Sequence, residues 1–470
     1  MALYPASGFS GNKKEVGTQM TRQYPDGPRI SFPMVIIGQM FPSFFPFDPL
    51  AFGLDIARRY GDIAHYRLGP MHVYQVNHPD PARQILVEQP EKFYKPTLVK
   101  RAFSPIAGQG LLMSDGALWK QQHKLMQPAF HQRRLALYGQ VMVTEALQLV
   151  EQYGDGEIRD IGMEMAKLTL AIVVKTLFGS ELPVEPKEVG RLVVAVLEAG
   201  YRRVNSPLRL PSWVPTRVNL REREAFAGLD RILRVMIRKR RASGESANDL
   251  LSVLLSATDE ESNGTMTEQQ LRDELMTLFL AGHETTATAL TWTWYLLARH
   301  QEVEARLLTE LRDVLDGREP TMADLPKLPY TEMVIRESLR LYPPAPGFAR
   351  EPVEDVKIGG WDIRKGSLVV LNTYALHHDP RFFPEPEHFE PERFAKGWEE
   401  RMPRYAYLPF GGGPRVCIGS GFAMMEARLI LATIAQKWHL KQESAEEIAP
   451  VQMIALRPGK PVRMRLERRS

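Results

Sequence analysis

Cysteine is almost absent: 470 residues include one, Cys417. A single thiol excludes intramolecular disulfides and any zinc site built on two thiolates. It suits a reducing cytoplasm, where this chain is expected to reside. A charge excess is lacking too. Against 60 lysines and arginines stand 56 aspartates and glutamates, and a formal charge of +4 argues against a nucleic-acid binder whose affinity rests on neutralising phosphates. The basic run from Arg238 to Arg241 ends a helical pattern just before Gly244, where cations complement the helix dipole and stay solvated. Long apolar runs are missing. Lys13, Lys14 and Glu15 lie in a polar N-terminal stretch, and the apolar segment from Ile30 to Leu54 is interrupted by Pro33, Gly38, Pro42, Pro46 and Asp48. That pattern argues against a transmembrane anchor and reads as a surface loop or channel lining. Repeats, low-complexity tracts and Gly/Ser linkers are also absent. Residues 60–470 therefore read as one large domain behind an N-terminal lead and first helix over residues 1–59.

What is present is helical periodicity, with helices predicted over Gly116 to Tyr138, Ile161 to Phe178, Glu188 to Arg203, Leu220 to Ala242, Glu268 to Arg299, Glu302 to Leu315 and Tyr330 to Leu341. Strand patterns are fewer and short: Ile63 to Leu68, His72 to Val76, Val356 to Ile358, Ser367 to Leu371 and a stretch near Pro461 to Leu466. The expected class is mainly α with a small β-rich part. The long helix after Thr267 opens well, because Thr267 and Gln270 stand at capping-box spacing. Its middle is out of character: Ala281, Gly282, His283, Glu284, Thr285 and Thr286 put a glycine and polar groups where burial and helix propensity favour others. Such local conflicts often mark function.

The segment from Phe410 through Gly411, Gly412, Gly413, Pro414, Arg415, Val416, Cys417 and Ile418 to Gly419 reads as a loop feeding an apolar helix over Ala423 to Ile434. Glycines permit positive φ and close backbone approach, Pro414 restricts Gly413, and the helix start beyond Cys417 supplies amide donors that favour a thiolate. A thiolate there serves either as a nucleophile with a histidine base or as a metal ligand. This segment resembles the haem-binding loop of the cytochrome P-450 family, matching at Phe410, Gly413, Arg415, Cys417 and Gly419 with the family's spacing. The resemblance implies haem b with Cys417 as axial iron ligand, Phe410 and Gly411 against the macrocycle, and Arg415 at a propionate. The thiolate push on the O–O bond is a property of that family, not something these residues derive.

Other segments agree with the resemblance, which runs from about Tyr60 onward. Glu337 and Arg340 stand at i, i+3 spacing, and an exposed pair of that kind is worth only about 0.2–0.5 kcal/mol. Here they resemble the family's Glu-x-x-Arg motif, and Arg393 in Pro391-Glu392-Arg393-Phe394 completes a buried charge triad. Pro343, Pro344 and Pro346 end the Glu337 helix and force an extended segment that leads to Arg350, expected at a propionate. Trp119 and His123 share a helix face, where the family commonly places a tryptophan and an arginine. Histidine at that place weakens propionate pairing and makes it pH-dependent. Ala281 to Thr286 resembles the oxygen-activation motif. Glu284 and water would relay protons, while Thr285 would turn its hydroxyl into a widened helix groove; the alternative is a threonine bonded back to its own helix.

The implied fold places haem between the Glu284 helix and the Cys417 helix, and the implied reaction puts one atom of dioxygen into an apolar substrate. With no Gly-rich dinucleotide or flavin segment, electrons are expected from a ferredoxin or flavodoxin with its reductase, steered by Lys120 and Lys124. The candidate substrate wall is Phe103, Ile106, Leu111, Leu112, Phe279, Ala281, Ala287, Pro346 and Phe348, suited to a fatty acid or terpenoid. A peroxide-driven or rearranging relative, a haem-thiolate gas sensor and a cysteine hydrolase are the competing readings.

Overall fold

Thr267 opens the central helix with a reciprocal cap: its hydroxyl accepts from the Gln270 amide at 3.1 Å, and Gln270 Oε1 accepts from the Thr267 amide at 2.9 Å. From that start the helix runs unbroken to Arg299, most of its residues buried. This computed structural model describes residues 24–30, 48–179, 184–205, 213–243, 249–256, 258–259 and 264–469. Its longer helices are α1 (Pro49–Tyr60), α2 (Thr97–Ala107), α3 (Gly116–Met126), α4 (Gln132–Glu151), α5 (Ile161–Phe178), α6 (Pro186–Asn205), α7 (Arg217–Ser243), α8 (Glu268–Arg299), α9 (Gln301–Leu315), α10 (Pro329–Leu341) and α11 (Ser420–Lys437). Helix α8 is the axle. Trp292, Trp294 and Leu290 enter one apolar core with α4, α9, α10 and α11, while Leu271, Leu275 and Phe279 enter a second with α5, α6 and α7.

Strands gather at the edges of this helical body. The largest sheet has the order β1 (Ile63–Leu68), β2 (Met71–Val76), β10 (Leu368–Leu371), β7 (Phe348–Pro352), β3 (Phe93–Tyr94), with β2 and β10 parallel and the other pairs antiparallel. A second sheet joins β11 (Trp438–Gln442), β14 (Arg463–Arg468) and β4 (Ile158–Asp160). Three two-stranded ribbons remain: β5 (Thr258–Asp259) with β6 (Gly264–Thr265), β8 (Val356–Ile358) with β9 (Trp361–Ile363), and β12 (Pro450–Gln452) with β13 (Leu456–Pro458). The mainly helical class with a small β part is what the sequence led us to expect.

Two expectations fail for identifiable reasons. The single helix over Gly116 to Tyr138 is two, because Pro128 cannot donate an amide hydrogen and the chain makes a 3-10 turn over Gln127–Phe130 before α4 begins. Arg240, assigned to a solvated run, is buried. Its guanidinium bonds the Phe178 carbonyl at 2.6 Å and pairs with Asp249 at 2.5 Å, so it fastens the end of α5 to α7. Most of the apolar stretch from Ile30 to Leu54 lies outside the described residues. Among the described residues no helix is long and apolar enough to cross a membrane.

Candidate active site

The cysteine segment is shaped by a position that only glycine can occupy. Gly413 has φ of 66°, and a Cβ there would lie 1.9 Å from the Leu86 carbonyl oxygen. The Cys417 amide donates to the Phe410 carbonyl at 2.9 Å and closes the loop, after which α11 begins at Ser420. Val416 and Cys417 are exposed, although the helix they lead into is largely core. In α8, Ala281 and Thr285 are exposed one turn apart between buried flanks. The two helices meet where Glu426 of α11 lies beside Thr286 of α8.

The electrostatics of the sulfur correct one expectation. Surrounding protein pushes the Cys417 thiol up, and the Gly419 amide lowers it by less. The loop alone therefore does not make a good thiolate; a nearby cation has to supply that stabilisation.

Around the loop stands a cluster of cations. Arg415 donates to the Ser114 carbonyl at 2.8 Å and to Asp115 at 2.7 Å, and lies over the Trp119 ring at 4.1 Å. Lys100 also pairs with Asp115, at 2.5 Å. Arg350 is buried, and burial followed by repulsion from Arg415 lowers its guanidinium to about 10. Burial, with repulsion from Arg350 and Arg415, brings the Lys95 ammonium down to about 7. Lys95 was not singled out from sequence, because nothing local distinguishes it from a surface lysine. Asp115 is the carboxylate that offsets the mutual repulsion of Lys95, Arg350 and Arg415, and the cluster suits an acidic ligand.

Trp119 and His123 do share a face, with ring centroids 5.2 Å apart. Burial, then Arg415, hold the imidazole below its ordinary range, so it is neutral near pH 7. An anion beside it would reverse that. If His123 meets a propionate, its contribution is present below its pKa and fades as pH rises through it. His123→Ala should accordingly lose about fivefold in haem retention at acidic pH and little at alkaline pH. Haem transfer to a scavenger apoprotein across a pH series measures this, and a pH-independent ratio would refute the contact.

The charge triad is assembled. Arg340 Nε and Nη2 donate to Glu337 at 2.7 and 2.8 Å, Arg393 Nε reaches the same carboxylate at 3.3 Å, and the Glu390 amide does so at 3.1 Å. The remaining Arg340 donors meet the carbonyls of His377, Pro386 and His388. His377, missed from sequence, links this network to the cysteine loop. Its Nδ1 bonds the Arg340 carbonyl at 3.1 Å and its Nε2 accepts from the Leu408 amide at 2.8 Å. Burial holds the ring neutral, which this donor–acceptor pattern requires.

At the middle of α8 the helix is continuous. The Thr285 hydroxyl donates to the Ala281 carbonyl at 2.7 Å, the back-bonded alternative, while its exposure leaves the rotor free to turn. Glu284 is buried and bonded by Arg457 at 2.6 Å. Arg457 was invisible from sequence because 173 residues separate the two.

The expected substrate wall is brought together only in part. Ala281 and Leu112 are exposed and Leu111, Phe103 and Phe348 partly so, Phe103 lying with Ile454 against Gly200. Ile106 and Phe279 are 1% exposed and Ala287 5%, all in core clusters. Phe279 is two residues from Ala281, which turns it to the opposite side of α8, against Phe178. Pro346 is buried, its carbonyl taken by the Tyr374 amide.

A helical body with a cysteine loop leading into a core helix, beside a polar stretch in the middle of an unbroken central helix, is the architecture of a haem-thiolate oxygenase. The cytochrome P450 family model matches residues 27–465, and the chain belongs to that family. It is an oxygen-incorporating oxidoreductase, and the family implies a haem-thiolate cofactor, a substrate and a redox partner. Cyclooctatin synthase of Streptomyces melanosporofaciens is 40% identical over 86% of this chain and 88% of that protein. Cyclooctat-9-en-7-ol 5-monooxygenase of the same organism is 37% identical over 81% and 83%. Pentalenene oxygenase of Streptomyces avermitilis is 32% identical over 87% and 91%. The crystal structure of the cytochrome P450DA heme domain superposes with a TM-score of 0.83 at 27% identity, over 91% of this chain and 95% of that one. The residues present fit the cofactor: a lone exposed thiol that needs a cation, beside cations that need a diacid.

Proposed function

We propose that this protein is a monooxygenase that hydroxylates a cyclic terpenoid, with haem b held by Cys417 and electrons drawn from a separate ferredoxin or flavodoxin and its reductase. The observation that carries the substrate class is the 40% identity, over most of both chains, to cyclooctatin synthase. Of the two guests expected, a terpenoid is favoured over a fatty acid. When bound, haem supplies dioxygen activation, with one oxygen atom going to substrate and the other to water.

The protein's own residues do the rest. Cys417 would hold the iron, Phe410 and Gly411 would lie against the macrocycle, and Arg415, Arg350, His123 and Trp119 would receive the propionates. Leu111, Leu112, Ala281, Phe103 and Phe348 supply an apolar wall that excludes water from a hydrocarbon guest. Glu284 takes up and releases protons, and Thr285, once turned from the Ala281 carbonyl, orders the water through which they pass. Lys120 and Lys124 are exposed on α3 beside Trp119 and suit an acidic electron donor. The single cysteine fits work in the cytoplasm.

The test is turnover of cyclic diterpene and sesquiterpene hydrocarbons and their mono-ols with a reductase–ferredoxin pair, alongside a fatty-acid chain-length series. A spin shift and hydroxylated product from a terpenoid are expected. Shifts confined to the fatty acids would overturn the substrate class. In the same assay Thr285→Ala should divert most reducing equivalents to peroxide, and full coupling of electrons to product would contradict its role.

A further inference from the structure

We propose that Arg457 is a positioning residue for the oxygen chemistry: by pairing with Glu284 from the β12–β13 ribbon, it holds one carboxylate oxygen in place until a proton is delivered. The proposal rests on the reading of Glu284 as the proton-handling acid.

The geometry is specific. Arg457 Nε donates to Glu284 Oε1 at 2.6 Å and Nη2 closes on the same oxygen. Both donors converge on Oε1, so Oε2 is the oxygen able to meet water or Thr285. The guanidinium is delivered by an anchored backbone. Leu456, fully buried, donates its amide to the Pro344 carbonyl at 2.9 Å and accepts from Trp292 Nε1 at 2.7 Å, while Val451 pairs with Arg457 across the ribbon. Arg457 therefore releases Glu284 only by turning its own side chain, and that side chain, 29% exposed, already reaches solvent.

Burial and charge act on Glu284 in opposite directions. Burial raises the carboxyl and Arg457 lowers it. Its other titratable neighbours add no countercharge: His283, next in α8, is held near 4 and so is neutral, and burial brings Glu426 of α11, beside Thr286, up to about 8. Arg457 is thus the group that favours the Glu284 anion against burial. Protonation of the carboxylate from the solvent side neutralises it, dissolves the ion pair and frees the neutral acid to turn inward. The proton then passes to the oxygen of an ordered water, and the regenerated carboxylate returns to the guanidinium. No bond other than O–H is made or broken.

The decisive readout is infrared titration of the Glu284 carboxyl band in the resting holoprotein, assigned by its disappearance in Glu284→Gln. Arg457→Gln should move the midpoint upward by about one pH unit or more, a tenfold gain in proton affinity. The pH dependence of product formed per electron should move with it. Arg457→Lys, which retains the charge, should stay close to the parent in both measurements and provides a second variant at the same position. A midpoint in Arg457→Gln that overlays the parent would overturn the positioning role, as would a Lys variant displaced as far as the Gln variant. If Glu284→Gln leaves product per electron unchanged, the acid assignment fails while the infrared result still decides whether Arg457 controls the carboxylate.

Discussion

Glu337→Ala should yield little or no haem-loaded protein. Its carboxylate receives four donors, from Arg340 twice, Arg393 and the Glu390 amide, at 0% exposure. Truncation leaves the Arg340 guanidinium buried, facing only carbonyl oxygens. Breaking such a set by removing one partner costs about 3–5 kcal/mol, a large part of the stability of an ordinary domain. The loss reaches the cofactor site through His377, which connects the Arg340 carbonyl to the Leu408 amide, two residues before Phe410. The ratio of haem absorbance to protein in the purified variant measures the effect. Normal loading would show that the triad does not hold the cysteine loop.

Cys417→Ala should eliminate the red-shifted Soret band of the reduced protein under carbon monoxide, and with it all product above the uncatalysed background. The geometry makes this an all-or-none expectation. Cys417 is the only thiol in the chain, and surrounding protein disfavours its anion unless a cation sits at the sulfur. Retention of the band in the alanine variant would place the axial ligand elsewhere. A parent protein whose haem complex lacks the band would exclude a thiolate ligand altogether.

The sequence carried local signals well and distant ones poorly. The boundaries of α5 and α8 were legible to the residue, because apolar periodicity runs through both and the capping pair of Thr267 and Gln270 marks the start of α8. Helix α2 was missed, since Pro105 lies within it and a proline normally argues against continuation. The cysteine loop was legible because glycine spacing and a thiol before an apolar helix are contiguous. The triad was legible only through resemblance: Glu337 and Arg340 are one turn apart, but Arg393 joins them from 56 residues downstream. Lys95, His377 and Arg457 could not have been found. Each draws its role from partners that only the tertiary fold brings near. The wall residues failed at Phe279 and Ala287 because an apolar side chain on α8 reads alike whichever core it enters.

The fastening of Leu456 to Trp292 has a consequence for biosynthesis. The two are 164 residues apart, and at elongation rates of about 5–20 residues per second the later one leaves the ribosome roughly 8–30 s after the earlier. Throughout that interval the flank of α8 that carries Glu284 has no Arg457 to pair with and no ribbon covering it. Until the ribbon has been made, that side of a nascent chain stays open to small molecules and to chaperones.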